Sequence, residues 1–111
     1  MKIVITDTAE RQIAATSDYI EREWGRTYKI KFRQRLQETI SLLRQNPNLG
    51  AVEPLLTQYT KQFRSIVASS HNKIIYSITA NHIEIVAFWD VRREPAKLAS
   101  EVINNKEIRS K

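Results

Sequence analysis

Four basic side chains lie on or beside segments of this sequence that have the composition of β-strands. They are Arg64, Lys73, Arg92 and Arg93. Arginine guanidinium groups bind phosphate with two hydrogen bonds at once and can stabilise the charge that develops during phosphoryl transfer. Brought together, these side chains would form a site that cleaves RNA. The alternative is that they form ion pairs with the nearby carboxylates Glu84, Asp90 and Glu94, which is the more common arrangement.

Two histidines, His71 and His82, are the remaining candidates for acid–base chemistry, and both fall in predicted turns. Neither has a recognised catalytic motif around it, so we interpret both as surface residues. His71 is the stronger candidate, because it adjoins the segment that carries Lys73 and Tyr76. The chain has no cysteine and no spacing typical of a metal or nucleotide site, so we predict neither a metal nor a cofactor.

The amino-terminal part of the chain has the pattern of one strand followed by two helices. Ile3–Ile5 is a short β-prone run, and apolar residues then recur at helical spacing over Asp7–Trp24. Gly25 permits a turn, and a second helix is predicted over Thr27–Gln45. The predicted buried positions are Ala9, Ile13, Thr16, Ile20 and Trp24 in the first helix and Tyr28, Phe32, Leu36, Ile40 and Leu43 in the second. The short connection predicts an antiparallel helical hairpin.

The positive charge is concentrated on the second helix. The chain has a net charge of +6, and residues 26–50 carry six basic side chains against one acidic one. Lys29 and Arg33 are four residues apart, as are Lys31 and Arg35, so these four residues form a basic ridge beside the buried stripe. The ridge is either a solvated helix face or a surface that binds a polyanion or an acidic protein.

Beyond a loop that extends to about Gln62, the pattern changes to three strands joined by short polar turns. The predicted strands are Phe63–Ser69, Lys73–Thr79 and Ile83–Trp89. Short turns between consecutive strands predict an antiparallel meander, which places Arg64 and Arg92 at opposite ends. Apolar residues occur on both faces of the last two strands, so these strands should be central or covered on both sides. A final short helix is predicted to begin at Pro95.

Length and composition indicate one α+β domain over residues 1–111, with a frayed tail from about residue 104. The hydrophobic fraction of 41% and the charged fraction of 27% are typical of a globular fold. No stretch has the length of a signal peptide or a membrane span, so we expect a cytoplasmic protein without a membrane partner. We predict that Trp24 and Trp89 pack in the core and do not stack on nucleic-acid bases.

Five short motifs follow one another along the chain. They are Ala9…Ile13…Tyr19-Ile20, Leu43-x-x-x-Pro47-x-x-Gly50, Arg64-x-Ile66-Val67, His71-x-Lys73-Ile74-Ile75-Tyr76 and Arg92-Arg93-x-Pro95. Together with the predicted order of elements, this set resembles the RelE/ParE superfamily of type II toxin–antitoxin toxins over nearly the whole chain. The resemblance implies a bacterial toxin that forms a hetero-oligomer with a cognate antitoxin. The carboxy-terminal segment of such an antitoxin is often acidic and would suit the basic ridge.

Resemblance to the RelE-like members implies a ribosome-dependent messenger-RNA endoribonuclease that needs no metal. In that case Arg64 and Arg92 would bind the scissile phosphate and stabilise its charge. Proton transfer would then depend on Lys73, Tyr76 or His71.

Resemblance to the ParE-like members implies inhibition of DNA gyrase without a catalytic site. The candidate residues for binding a partner or target are Lys29, Lys31, Arg33, Arg35 and Arg93. RelE-like members commonly carry a catalytic tyrosine or histidine after the position of Arg93, and none follows it here, so we favour gyrase as the target. A third possibility is a family member that has kept only antitoxin binding.

Overall fold

The structure, a computed structural model, describes residues 1–102 and contains three α-helices and five strands within that range. In chain order the elements are β1 (Lys2–Ile5), α1 (Asp7–Trp24), α2 (Arg26–Gln45), β2 (Ala51–Val52), a short 3-10 helix (Pro54–Leu56), β3 (Arg64–Val67), β4 (Asn72–Ile78), β5 (His82–Asp90) and α3 (Ala96–Val102). The predicted α+β class is confirmed, with small shifts at the ends of the elements. The tail predicted to fray from residue 104 lies outside the described residues.

Local side-chain and backbone chemistry determines where the helical hairpin begins and turns. Thr6 caps α1, because its Oγ1 accepts a hydrogen bond from the Ala9 amide at 3.2 Å. At the other end of α1, Gly25 has φ 97° and ψ 172°, a conformation essentially restricted to glycine. The chain therefore turns within one residue, and α2 packs back against α1.

The sheet has the strand order β1-β5-β4-β3-β2. The antiparallel pairing of β3 with β4 and of β4 with β5 confirms the predicted meander. The sheet as a whole is mixed, however, because β1 pairs in parallel with β5. The chain between these two strands runs through α1, α2 and the other three strands, which is long enough for the connection that a parallel pair requires. The segment predicted as a loop also contains β2, which pairs antiparallel with β3 at the opposite edge.

Both faces of the sheet are covered, which explains why β4 and β5 are apolar on both sides. The face under the helical hairpin contains Ala9, Ile13, Leu36, Leu43, Ile74, Tyr76, Ile83, Ile85 and Phe88. The other face, under the segment after β2 and under α3, contains Leu56, Tyr59, Phe63, Ile75, Val86, Ala87, Trp89, Leu98 and Val102. The register shifts between Ile75 and Tyr76, which pair with Ala87 and Ile85. This bulge lets the consecutive residues Val86 and Ala87 join one cluster.

The two tryptophans differ in burial. Trp89 is 1% exposed, as predicted, whereas Trp24 is 62% exposed and the prediction that it packs in the core is wrong. Tyr28, also predicted to be buried, is 54% exposed and contacts Trp24 with ring centroids 6.1 Å apart. The buried residues of α1 and α2 all lie away from Gly25. The apolar stripes therefore continue past the part of the hairpin that the sheet can cover.

Candidate functional site

The Tyr76 hydroxyl holds the segment that leaves α2. It donates a hydrogen bond to the Pro47 carbonyl at 2.7 Å and accepts one from the Gly50 amide at 2.9 Å. Arg64 is opposite Tyr76 in the sheet, and its guanidinium donates to the Gly50 carbonyl at 2.7 Å. These four residues, which we call the loop clamp, connect three of the five sequence motifs. The clamp gives Arg64 and Tyr76 a structural role.

Tyr76 is poorly suited to proton transfer. Its side chain is buried, and burial raises the pKa of the phenol, while the Gly50 amide and the Arg64 charge act in the opposite direction. The hydroxyl therefore stays protonated near neutral pH, and both of its hydrogen-bonding directions are occupied. A catalytic base needs an accepting atom within reach of the substrate.

Lys73 forms an ion pair with Glu53, which is fully buried. The Glu53 side chain also accepts from the Leu55 amide at 3.3 Å, and its backbone amide donates to the Phe63 carbonyl at 2.8 Å. Lys73 thus neutralises a buried carboxylate at the start of the segment between β2 and β3, and the backbone amide of the same residue contacts the end of that segment. The sequence interpretation missed Glu53 because this partner is 20 residues away along the chain.

Arg92 and Asp90 form a two-point ion pair on the surface. Arg92 Nε donates to Asp90 Oδ1 at 3.0 Å, and Arg92 Nη2 donates to Asp90 Oδ2 at 2.7 Å. These bonds to the arginine side chain lower the pKa of Asp90 from 3.8 to about 2. The arginine is nevertheless 63% exposed. The sequence analysis proposed Glu84, Asp90 and Glu94 as ion-pair partners of the candidate arginines, and Asp90 does pair with Arg92.

Arg93 connects β5 to α3. Its guanidinium donates to Glu101 at 2.6 Å and lies 4.6 Å from the centre of the Trp89 ring. Glu101 also accepts from the Gln12 side-chain Nε2 at 2.7 Å, and the Gln12 side-chain Oε1 accepts from the Phe88 amide at 2.8 Å. Arg93 is thus part of a network that joins α1, β5 and α3. Its partner is Glu101 and not Glu94.

The candidate phosphate-binding arginines do not converge. Arg64 is opposite Tyr76, whereas Asp90, beside Arg92, is opposite Asn72 at the start of β4. Four residues of a strand separate these positions by about 13 Å. His71 lies at the Arg92 end, where its carbonyl accepts from the Val91 amide at 2.8 Å. The strand register therefore agrees with the predicted placement of Arg64 and Arg92 towards opposite ends of β4.

The third proposed carboxylate, Glu84, lies on β5 next to other partners. It pairs with Lys61 at 3.6 Å and lies 4.0 Å from His82 Nε2. His82 also contacts the Thr79 hydroxyl at 2.9 Å through Nδ1. His82 is therefore the first residue of β5 and not a turn residue as predicted, and its side chain contacts the preceding turn through Thr79.

The residues of the basic ridge lie on two different flanks of α2. Lys29 pairs with Glu21 at 3.2 Å, and Lys31 lies 5.7 Å from the centre of the Tyr28 ring. Arg33 and Arg35 are exposed and have no carboxylate partner among residues 1–102. Lys31 and Arg35 line one cavity, whereas Arg33 lines another on the opposite flank.

The cavity beside Lys31 and Arg35 is an open groove between the helical hairpin and the turn from β3 to β4. It has a volume of about 540 Å³. Its apolar lining comprises Tyr19, Ile20, Trp24, Tyr28, Phe32, Leu36, Ala68 and Phe88, and its basic lining comprises Lys31, Arg35, His71 and Arg92. We call it the aromatic groove. The helical spacing of the aromatic residues in α1 and α2 is visible in the sequence, but that spacing predicts core positions for Trp24 and Tyr28 and does not reveal the groove.

The described residues were also compared with the requirements for a metal site and for a membrane-spanning helix. In the described part of the chain, no group of three histidine, cysteine or carboxylate side chains could hold a metal ion. No helix among residues 1–102 has both the length and the apolar character needed to cross a membrane.

Several solved structures have a similar architecture. A chain of the chromosomal ParDE toxin–antitoxin system from P. aeruginosa has a TM-score of 0.67 and 21% identity, over 82% of this chain and 96% of that chain. The YoeB dimer from Staphylococcus aureus has a TM-score of 0.54 and 18% identity, over 79% and 93%. The YoeB/ParE toxin from Agrobacterium tumefaciens has a TM-score of 0.51 and 16% identity, over 81% and 98%. The fold is therefore that of the RelE/ParE-type toxins.

The sequence itself identifies the family. Residues 3–95 match the family described as ParE toxin of type II toxin–antitoxin system, parDE. The chain belongs to this family and is the toxin of a type II toxin–antitoxin system. A search of curated proteins found no match. The resemblance inferred from the ordered motifs is confirmed.

Replacing Tyr76 with phenylalanine tests the loop clamp. Tyr76→Phe leaves the Pro47 carbonyl and the Gly50 amide without their partner, so the free energy of unfolding should fall by about 2–3 kcal/mol. Gly50→Ala should also destabilise, because a Cβ there would lie 2.6 Å from the Ser65 carbonyl oxygen. The measurement is urea denaturation, with Tyr28→Phe on an exposed ring as the control. Equal stability of the two phenylalanine variants would contradict the structural role of Tyr76.

The Asp90–Arg92 pair predicts an acid-dependent loss of stability. Because the folded pKa of Asp90 is lowered to about 2, the pair stabilises the fold above the ordinary value of 3.8 and this contribution disappears as the pH falls towards 2. Water screens the exposed arginine, so we expect this contribution to be small. Urea denaturation of the wild type and Asp90→Asn should differ at pH 6 and converge near pH 2. A difference that does not depend on pH would exclude this assignment, and Asp18→Asn serves as the control.

Proposed function

We propose that this toxin arrests growth by binding DNA gyrase and that it does not cleave RNA. The observation that supports the proposal is that the candidate catalytic side chains are engaged inside the protein. Arg64 and Tyr76 belong to the loop clamp, and Lys73 neutralises the buried Glu53. These groups stabilise the fold and do not form a site that faces a substrate.

RNA cleavage through the ribose 2′-hydroxyl needs a base within hydrogen-bond reach of that hydroxyl and donors around the phosphate. The Tyr76 hydroxyl is occupied on both sides and buried. The Arg64 guanidinium bonds to the Gly50 carbonyl and the Arg92 guanidinium pairs with Asp90, so the two arginines have different partners at separate places on the sheet. The arrangement therefore favours action by binding.

One observation favours the alternative, a RelE-like ribosome-dependent endoribonuclease. His71, Arg35 and Arg92 line the aromatic groove together. A histidine beside two arginines has the chemistry to bind a phosphate and transfer a proton. This arrangement differs from the one implied by the resemblance, because it excludes Arg64, Lys73 and Tyr76.

The antitoxin is the second partner that we propose, and the aromatic groove is its binding surface. The groove has an apolar floor, on which Ile20 and Phe32 lie, and basic residues at its rim. An amphipathic helix with acidic residues beside its apolar face would match both properties. The exposed rings of Trp24 and Tyr28 supply the large, rigid contact area typical of residues that dominate binding energy.

Assays of the two targets distinguish the two modes of action. Purified toxin should inhibit supercoiling of relaxed plasmid by gyrase and should leave messenger RNA intact on translating ribosomes. We propose that the basic ridge on α2 binds gyrase, so Arg35→Glu should weaken the inhibition about tenfold through loss of a charge contact, whereas Arg11→Glu, on α1 and outside the ridge, should not. Cleaved messenger RNA that disappears with His71→Ala would establish the alternative. Expression that leaves growth unchanged would refute both modes.

The groove predicts a large effect of one exposed tryptophan on antitoxin affinity. Trp24→Ala should weaken binding of the cognate antitoxin by about 30-fold or more, because a central aromatic contact is lost. Leu42→Ala is the matched control, because Leu42 is 53% exposed on α2 and does not line the groove. Both variants should keep the melting temperature of the wild type. Isothermal titration calorimetry that gives equal affinities for the two variants would rule out this surface.

A further inference from the structure

The aromatic groove carries charge of one sign. Its described lining residues include Lys31, Arg35, His71 and Arg92 and no carboxylate. The groove on the other flank of α2, beside β1, includes Glu10 in its lining. Arg35 is exposed and has no carboxylate partner within residues 1–102. A concave surface with positive charge alone attracts polyanions.

Exposed aromatic rings lie on the wall of the same groove. Tyr19, Trp24 and Tyr28 are each more than half exposed. The rings of Trp24 and Tyr28 are tilted by 58° to each other, so they do not stack face to face. Lys31 Nζ lies 5.7 Å from the centre of the Tyr28 ring, so a cation and a ring are neighbours. Rings interleaved with cations are typical of sites for single-stranded nucleic acids, because bases stack on the rings and phosphates pair with the cations.

The length of the groove matches a short stretch of such a strand. Tyr28 and Arg35 both line it and are seven residues apart on α2, which is about 10 Å along a helix. Successive nucleotides of a stacked strand rise by about 3.4 Å, so about three of them extend over this distance. The bases must be unpaired, because the bases of a duplex face each other and cannot stack on a protein ring.

We propose that the aromatic groove binds single-stranded DNA, with bases stacked on Trp24 and Tyr28 and phosphates at Lys31 and Arg35. The inference rests on the proposed function and deepens it, because gyrase acts on DNA and the toxin would contact both the enzyme and its substrate. An antitoxin bound in the same groove would exclude the DNA. The antitoxin and the DNA are therefore alternative occupants.

Two substitutions at one position distinguish base stacking from apolar contact. The measurement is fluorescence anisotropy of a labelled oligothymidylate of twelve nucleotides, titrated with purified toxin without gyrase. Trp24→Leu should weaken binding about tenfold, as expected for one lost stack, whereas Trp24→Phe keeps a flat ring and should stay within about threefold of the wild type. Leucine is also apolar, so an apolar helix would accept both variants. Equal affinities of the two variants for the oligothymidylate would overturn the proposal.

The salt dependence isolates the phosphate contacts. For single-stranded DNA, each neutralised phosphate contributes about 0.7 to the slope of log affinity against log salt concentration. Arg35→Gln should therefore reduce the slope by about 0.7. Arg44→Gln is the matched control, because Arg44 is exposed on the same helix and lines the other groove. Equal effects of the two variants would show attraction by the net charge of +6 alone and would contradict a site in the aromatic groove.

The remaining outcomes separate this inference from the proposed function. A toxin that inhibits gyrase but does not bind the oligothymidylate would refute the DNA site and leave the proposed function intact. Binding of the oligothymidylate with both expected variant effects, without inhibition of supercoiling, would support the DNA site and remove gyrase as the target. Tighter binding of an oligouridylate of the same length would assign the groove to RNA, and equal binding of a DNA duplex would exclude stacking. Either of these two results would overturn the proposal.

Discussion

The Tyr76 hydroxyl lies where the chain leaves α2 and enters the sheet, and it bonds to two backbone groups of that segment. Its position depends on β4, which is central in the sheet and buried on both faces. The hydroxyl, the Gly50 backbone and the Arg64 guanidinium together determine the path by which the chain reaches β2 and then β3. Without these bonds, buried backbone groups at the end of the helical hairpin would lack partners, which is costly in a protein interior.

The need to satisfy buried polar groups, as in the loop clamp, also explains the roles of the basic residues in the sheet. Residue types that bind phosphate at a surface are also the types that satisfy carbonyls and carboxylates in an interior. Arg64 bonds to a carbonyl, Lys73 pairs with a buried carboxylate, and Arg93 pairs with α3. The chemistry that remains available to a partner lies elsewhere, in the two grooves on either flank of α2.

The two grooves share one helix but present different chemistry. The aromatic groove offers large rings with basic residues at its rim, which suits a helix. The groove beside β1 is lined by aliphatic side chains of β1, α1 and α2 together with Arg33 and Arg44.

Short-range patterns in the sequence determined the elements. The helical spacing in α1 and α2, the short polar turns and the β-branched runs predicted the hairpin, the meander and the family, because these features depend on neighbouring residues. Tertiary structure alone decided that β1 joins in parallel beside β5, that Lys73 pairs with Glu53 and that Arg93 pairs with Glu101. It also decided that Trp24 and Tyr28 line a groove. Periodicity shows which face of a helix is apolar, but only the extent of the sheet beneath that face determines how much of it is buried.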